Sequence, residues 1–311
     1  MLKLELVEAV LARALKGGAD FAEVYAQRAK KRRMKVRQGA LEEALSGLDY
    51  GAGVRLFFGT EVVYAYTNDL TQEGLMEALE TLLRAKGALG KVDEGGKGGL
   101  DFRKATPKGL HAPKVPYGEK DKRYRLERLL EAEAGARIAP AIKQVEASLL
   151  EWEEEVLVAN TEGVFAEEKR VRTRLFVLAV AQDGAEVQTG YSAPGKSVGL
   201  ELFDLYPPKA VGEKAARQAL TNLKARPAPA GTFPVVVGPG FGGVLFHEAV
   251  GHLLETTSVA RKASVLADKL GEVVASPAVT YIDDGTLPHA WGSTEMDDEG
   301  RPTERTVLIE K

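Results

Sequence analysis

The stretch PVVVGPGFGGVLFHEAVGH, residues 234–252, decides how the fold of this chain is interpreted. It opens with a β-branched run, Val235 to Val237, that predicts a buried strand. The glycines and prolines that follow, residues 238–243, predict a turn. Beyond them the residues are apolar almost all round a helical pattern, which is typical of a buried helix. We therefore expect a strand, a turn and a buried helix in succession.

The predicted helix carries HEAVGH, which places two imidazoles and a carboxylate within six residues. A catalytic zinc site needs neutral nitrogen ligands and a carboxylate that takes a proton from the bound water. Two histidines so close are also common as surface or packing residues. A histidine and a glutamate in so apolar a helix nevertheless need partners, because burying unpaired polar groups is costly. One metal ion would satisfy His247, Glu248 and His252 together.

The spacing of the two histidines is unusual for a zinc motif. His247 and His252 are five positions apart, which separates them by about 140° on an ideal helix. In the common zinc-peptidase motif the histidines are four apart and share one face. A π-bulge, a local widening often found at functional sites, would bring the two rings together. Gly251 has the low steric demand that such a distortion requires.

The motif and its flanks resemble one known family. Residues 241–255 are similar to the TldD branch of the TldD/PmbA family, a group of metallopeptidases that also carries the label "modulator of DNA gyrase". Asp283-Asp284-Gly285 and the segment 297–300 match the family's DDG and DDEG segments, and a weaker match covers residues 47–59. The resemblance extends over essentially the whole chain and is most specific between residues 238 and 310.

The resemblance implies a cytoplasmic zinc peptidase. His247 and His252 would be zinc ligands, and Glu248 would be the general base that acts on zinc-bound water. Substrates would be peptides or unfolded protein segments. The family works as a dimer of related subunits, so a homologous subunit is the expected partner, as a homo- or heterodimer.

The chain departs from the family at the third zinc ligand. The family supplies a cysteine far towards the C-terminus, whereas this chain has no cysteine and ends at Lys311, on a predicted strand with no partner after it. We therefore expect a truncated form that binds metal weakly or not at all. Other side chains could replace the cysteine, although each is also explained as a turn, helix-end or hydrogen-bonding residue: Glu255, Asp283, Asp284 and His289.

Composition narrows the function further. The formal net charge is only -3 with 28% charged residues, which disfavours direct binding to nucleic acid. No apolar run approaches membrane-spanning length, and the chain opens on an amphipathic helix instead of a signal peptide. Two alternatives to a peptidase stay open: a non-catalytic assembly or regulatory subunit, and a modulator of DNA gyrase, which rests on the family label alone.

The predicted fold class is α+β, with N-terminal helices on a mainly antiparallel sheet and a β-rich C-terminal unit that carries the buried HExxxH helix. We divide the chain into an N-terminal α/β sandwich (1–90), a Gly/Pro/Lys-rich linker (91–118), a middle α+β unit (119–225) and a metal-site unit (226–311). His111 in the linker is interpreted as a surface residue. The basic run at residues 30–35 is interpreted as a solvated strand edge that lysines protect, in preference to a nucleic-acid site.

Overall fold

The computed structural model of the chain describes residues 1–87, 100–105 and 109–310. The described residues form two compact units. One, here the sheet unit, comprises Met1–Ala225 and Gly285–Thr303, and the other, here the motif unit, comprises Arg226–Asp284 and Glu304–Lys311. Parts of the predicted linker, residues 91–99 and 106–108, lie outside the described residues, as does the end of the predicted N-terminal unit. The fourfold division at residues 90, 118 and 225 stays a prediction.

The sheet unit contains α-helices and one large β-sheet. Its helices are α1 (Leu4–Lys16), α2 (Gln72–Ala85), α3 (Lys122–Ala136), α4 (Leu202–Leu205) and α5 (Pro208–Asn222). Its strands are β1 (Phe21–Arg37), β2 (Ala40–Phe58), β3 (Glu61–Thr67), β4 (Arg103–Ala105), β5 (Ile142–Asn160), β6 (Val164–Asp183), β7 (Glu186–Ser192) and β8 (Gly195–Lys196). Among the described residues the strand order is β3-β2-β1-β5-β6-β4, and β7 and β8 also pair with β6. Only the β4–β6 pair of this sheet is parallel, so the predicted α+β class with a mainly antiparallel sheet is confirmed.

The central strands of the sheet are long: β1 spans 17 residues and β5 spans 19. Both continue through charged residues, several of which meet opposite charges on neighbouring strands. Alternation places the apolar side chains of each strand on one face, and the helices pack there. One apolar cluster joins α1 and α2 to β1 and β2, and another joins α3 and α5 to β5 and β6.

The basic run does not lie at a sheet edge. β1 is an interior strand, paired with β2 on one side and β5 on the other, so the prediction of a lysine-protected edge is wrong. Several of its cations meet carboxylates of these neighbours: Lys31 lies 3.3 Å from Asp49, and Lys35 lies 2.7 Å from Glu42. Cross-strand pairing of opposite charges therefore explains much of this basic run without nucleic acid.

His111 is buried, with only 5% of its surface exposed, so the prediction of a surface residue is wrong. Its Nδ1 accepts a hydrogen bond from the backbone N–H of His289 at 3.2 Å, which requires the neutral ring. Its Nε2 is buried without a hydrogen-bond partner among the described residues. Burial lowers the pKa of His111 below its ordinary value of 6.5.

This histidine makes the sheet unit sensitive to acid. Because the pKa of His111 is lower in the folded chain than in the unfolded chain, its contribution to stability is complete above about pH 6.5 and is lost as the pH falls. We expect the free energy of unfolding to decrease below that pH, and His111→Gln to reduce the slope. Urea unfolding followed by tryptophan fluorescence measures this for the sheet unit, which contains both tryptophans, Trp152 and Trp291.

The matched control is His247→Gln, which removes an exposed histidine of the motif unit. It is expected to keep the wild-type slope. An unchanged slope in His111→Gln would contradict the assignment.

Candidate metal centre

The HEAVGH motif does not form one continuous helix. A 3₁₀ turn (Gly240–Gly242) leads into α6 (Gly243–Ala249), and a second 3₁₀ turn (Gly251–Leu254) follows. Val250 separates them with φ −134° and ψ −43°, outside the helical region. The predicted π-bulge is therefore wrong: the backbone breaks between the two histidines instead of widening. The break has the effect that was expected of the π-bulge: it turns His252 back towards His247, so that the two rings lie close together.

The break brings the three motif side chains into one cluster. The rings of His247 and His252 have centroids 4.4 Å apart at an interplanar angle of 61°. Glu248 Oε2 lies 3.5 Å from His252 Nε2. One ligand atom from each of the three side chains lies within 4.8 Å of the others, and no other such group of three occurs in the described part of the chain.

Gly251 has a steric role at the break. A Cβ atom at this position would lie 2.9 Å from the hydroxyl of Tyr281 and 3.0 Å from Nδ1 of His247. Such contacts are tighter than ordinary van der Waals packing, so any larger residue would displace the tyrosine or the imidazole. The sequence indicated that this glycine mattered, but it gave no sign of Tyr281, which contacts it from a distant strand.

Glu255 fixes the orientation of His252. Its Oε1 lies 2.6 Å from His252 Nδ1, and this hydrogen bond raises the pKa of His252 above its ordinary value. A neutral imidazole that donates through Nδ1 presents the lone pair of Nε2, the nitrogen that faces Glu248. Carboxylates commonly orient metal-binding histidines in this way. The three-residue spacing from His252 to Glu255 is the signal that placed Glu255 within reach.

The motif is not buried, contrary to the prediction. His247, Glu248 and His252 are all exposed, and α6 has no buried residue. Phe241 is 84% exposed and Leu245 59%. The predicted strand at Val235–Val237 is absent as well, and Val236 is 98% exposed. Apolar residues all round a helix predict burial only where another layer covers it, and no other described segment of the motif unit covers α6.

The other candidate third ligands have different positions. Asp283 and Asp284 lie in β9 (Tyr281–Asp284), which pairs antiparallel with β10 (Arg305–Ile309). His289 belongs to the sheet unit, where its Nδ1 lies 3.1 Å from the carbonyl oxygen of Ser197. Neither aspartate nor His289 belongs to the cluster of three. The motif unit also contains α7 (Thr256–Ala260), which begins directly after Glu255.

The donor set fits a divalent cation that accepts nitrogen and oxygen ligands. Two imidazoles and nearby carboxylates are ligand types that zinc takes, and the hydrogen bond that His252 Nδ1 donates to Glu255 leaves Nε2 of His252 available. An α+β fold with such a cluster next to a broken helix defines a candidate metal-binding protein.

Comparison with known families agrees with this class. Three successive family models match: domain 1 of the PmbA/TldA metallopeptidases over residues 22–86, their central domain over 114–223, and their C-terminal domain over 230–311. Together they cover most of the chain. The chain belongs to the TldD/PmbA family.

Curated relatives of the chain are named metalloproteases. The chain is 34% identical over 300 residues to "Metalloprotease TldD homolog" of Haemophilus influenzae, a match that covers 93% of this chain and 61% of the relative. It is 30% identical over 292 residues to "Metalloprotease" of Methanothermobacter thermautotrophicus, covering 94% of this chain and 62% of the relative. The chain thus spans about three fifths of the length of these relatives.

Solved structures share the fold. TldE from Thermococcus kodakarensis matches with a TM-score of 0.75 at 20% identity, over 98% of this chain and 67% of that one. A protein from Thermotoga maritima, described as a proposed modulator of a DNA gyrase, matches with a TM-score of 0.76 at 20% identity, over 98% and 68% of the two chains. Every helix in the described part of this chain is too short or too polar to serve as a membrane-spanning segment.

Proposed function

We propose that this chain carries the metal-binding motif of a zinc-dependent peptidase that hydrolyses peptides or unfolded protein segments. The observation that supports it most is the cluster of His247, Glu248 and His252, in which Glu255 holds His252 Nδ1. The metalloprotease names of the relatives point the same way. A metal-binding role also explains the break at Val250, since the break brings the two histidine rings together.

In this proposal each residue has a distinct task. His247 and His252 hold the cation, and Glu255 keeps the tautomer of His252 that presents Nε2. The cation, when bound, supplies the positive charge that acidifies water and polarises a peptide carbonyl. Glu248 accepts the proton of the attacking water and passes it to the leaving amine. Its side chain is 63% exposed, so water and a peptide have access to it.

The proposal includes a partner and a location. A homologous subunit, in a homo- or heterodimer, is the partner that we propose, and the similarity in fold to TldE supports it. A cytoplasmic location follows from the family resemblance. Direct action on DNA or gyrase is not favoured, because carboxylates pair with several of the cations of the basic run on β1.

Zinc binding tests the site directly. We expect the purified 311-residue chain to take up one zinc ion in competition with a chromophoric chelator. His247→Ala should abolish this uptake, because it leaves one imidazole in the cluster. Glu255→Gln should weaken zinc binding by about 10- to 100-fold, as is usual when an orienting carboxylate is lost.

The matched control is Glu272→Gln, since Glu272 is an exposed carboxylate of the same unit that pairs with Lys269 at 2.7 Å. It should bind zinc as the wild type does. Equal zinc uptake by the wild type and His247→Ala would overturn the metal site and favour a non-catalytic assembly or regulatory subunit.

A further inference from the structure

The sheet unit contains a cavity of about 490 Å³ that the metal centre does not use. It lies where the start of α3 meets β1, β2 and β5. Its volume falls within the range of about 300–1,000 Å³ that is typical of pockets for small molecules. A cavity of this size is large enough to take an organic ligand.

Basic side chains dominate the lining of this cavity. Six cationic residues contribute to it, against the two acidic residues Asp121 and Glu151: Lys30, Arg32, Arg33, Lys120, Lys122 and Arg125. Asp121 caps α3, because its Oδ1 accepts a hydrogen bond from the backbone N–H of Tyr124. Arg33 is paired with Glu43, which does not line the cavity, at 3.3 Å. The other five cations still exceed the two carboxylates, so the cavity has an excess of positive charge.

Glu151 cannot neutralise that excess. This carboxylate is 1% exposed and accepts hydrogen bonds from Nε and Nη2 of Arg125. Arg32 Nη1 lies 3.6 Å from the same carboxylate and makes no hydrogen bond among the described residues. One carboxylate thus serves two guanidinium groups. Lys30 and Lys122 have no ion-pair partner within the described ranges of the chain.

Apart from Ser46, the uncharged residues of the lining are apolar or aromatic. Met34 and Leu149 face each other across β1 and β5, and the exposed Leu45 of β2 lies at the rim. The ring of Tyr117 contributes to the lining as well, with the Arg32 guanidinium 5.4 Å from its centroid. Water cannot hydrogen-bond to these apolar side chains, whereas burial of an organic group against them lowers the free energy.

We propose that this cavity binds a small organic polyanion, one that carries phosphate or carboxylate groups on an apolar body. The unpaired lysines and Arg32 would bind the charged groups, and Met34, Leu149 and Leu45 would contact the body. Charge-assisted hydrogen bonds to such anions are stronger than neutral ones. The site is independent of the proposed peptidase function, since none of its residues belongs to the motif unit.

Calorimetric titration of the 311-residue chain at low ionic strength tests the proposal with simple probes. Phenyl phosphate and benzene-1,3-dicarboxylate combine a ring with anionic groups. Phenol supplies the ring alone, and inorganic phosphate and malonate supply the corresponding anionic groups alone. We expect one of the two combined probes to bind at least about tenfold more tightly than either half. Which of the two binds more tightly identifies the anionic group.

Substitution of two unpaired lysines locates the binding. Lys30→Gln with Lys122→Gln should weaken the tighter probe by about tenfold or more, because two charge-assisted contacts are lost. Lys31→Gln is the matched control: it is the next residue along β1, but it pairs with Asp49 and does not line the cavity. It should bind within about twofold of the wild type.

Circular dichroism checks that the variants keep their fold. Failure of both combined probes to bind more tightly than their halves would overturn the proposal. So would equal weakening by the Lys31→Gln control, or no weakening in the folded double variant.

Discussion

Replacing Glu248 with glutamine is expected to reduce peptide hydrolysis by about 10²- to 10⁴-fold, the usual contribution of a general base. Glutamine has the shape of glutamate but cannot accept a proton from the attacking water. The zinc content should stay at the wild-type value if Glu248 is the base and His247 and His252 are the ligands. Hydrolysis of a fluorogenic peptide library, measured with zinc and with a homologous subunit present, checks the first expectation, and metal analysis of the same samples checks the second.

The two measurements separate two roles for this carboxylate. Glu248 Oε2 lies 3.5 Å from His252 Nε2, close enough for a direct place in the metal-binding cluster. Loss of zinc together with activity in Glu248→Gln would make Glu248 a ligand. Full activity in this variant would eliminate the proposed mechanism. Glu272→Gln, in the same unit, serves again as the control that should change neither quantity.

Replacing Arg125 with methionine is expected to destabilise the sheet unit by about 3 kcal/mol or more, because it leaves a buried carboxylate without its main partner. Arg125 is 9% exposed and Glu151 is 1% exposed. The guanidinium also donates to the carbonyl oxygens of Asp121 at 2.9 Å and Tyr117 at 2.8 Å. Urea unfolding monitored by tryptophan fluorescence measures the loss, since both tryptophans belong to the sheet unit.

Two further variants isolate the cause. Arg125→Met combined with Glu151→Leu removes both charges and should recover most of the lost stability, because no buried carboxylate then remains unpaired. Arg123→Met, on the same helix, removes an arginine that is 84% exposed and should change stability by less than about 0.5 kcal/mol. A double variant as unstable as Arg125→Met would show that packing of the arginine stem dominates.

Part of the fold follows from local sequence patterns. The helix α1 was expected from the amphipathic pattern that opens the chain, because apolar spacing is a local signal. Caps are local as well: Thr71 caps α2 by accepting the backbone N–H of Gly74. The lengths of the strands could not be predicted from local patterns, since β1 and β5 continue through charged residues that meet opposite charges on neighbouring strands. Such pairing depends on register, and register is a property of the assembled sheet.

The candidate site was predictable in its composition but not in its form. The identity of His247, Glu248 and His252 came from their spacing and apolar surroundings. The backbone break at Val250 could not be inferred, because the apolar residues on both sides of it are typical of a continuous helix. Burial of the site was wrongly expected, since an apolar pattern indicates that a helix needs a covering layer but does not show that such a layer is present. His111 was wrongly predicted to lie at the surface, because its burial depends on contacts with residues about 180 positions away.

The position of β1 has a consequence for how this chain could be divided. β1 pairs with β2 and, over residues 23–37, with β5, so it lies between segments that the family models assign to separate domains. A fragment ending before β5 would expose the backbone donors and acceptors along that whole side of β1 and invite aggregation. A fragment beginning at β5 would expose the matching side. In this chain the two matched segments therefore share one sheet, and we expect them to unfold together.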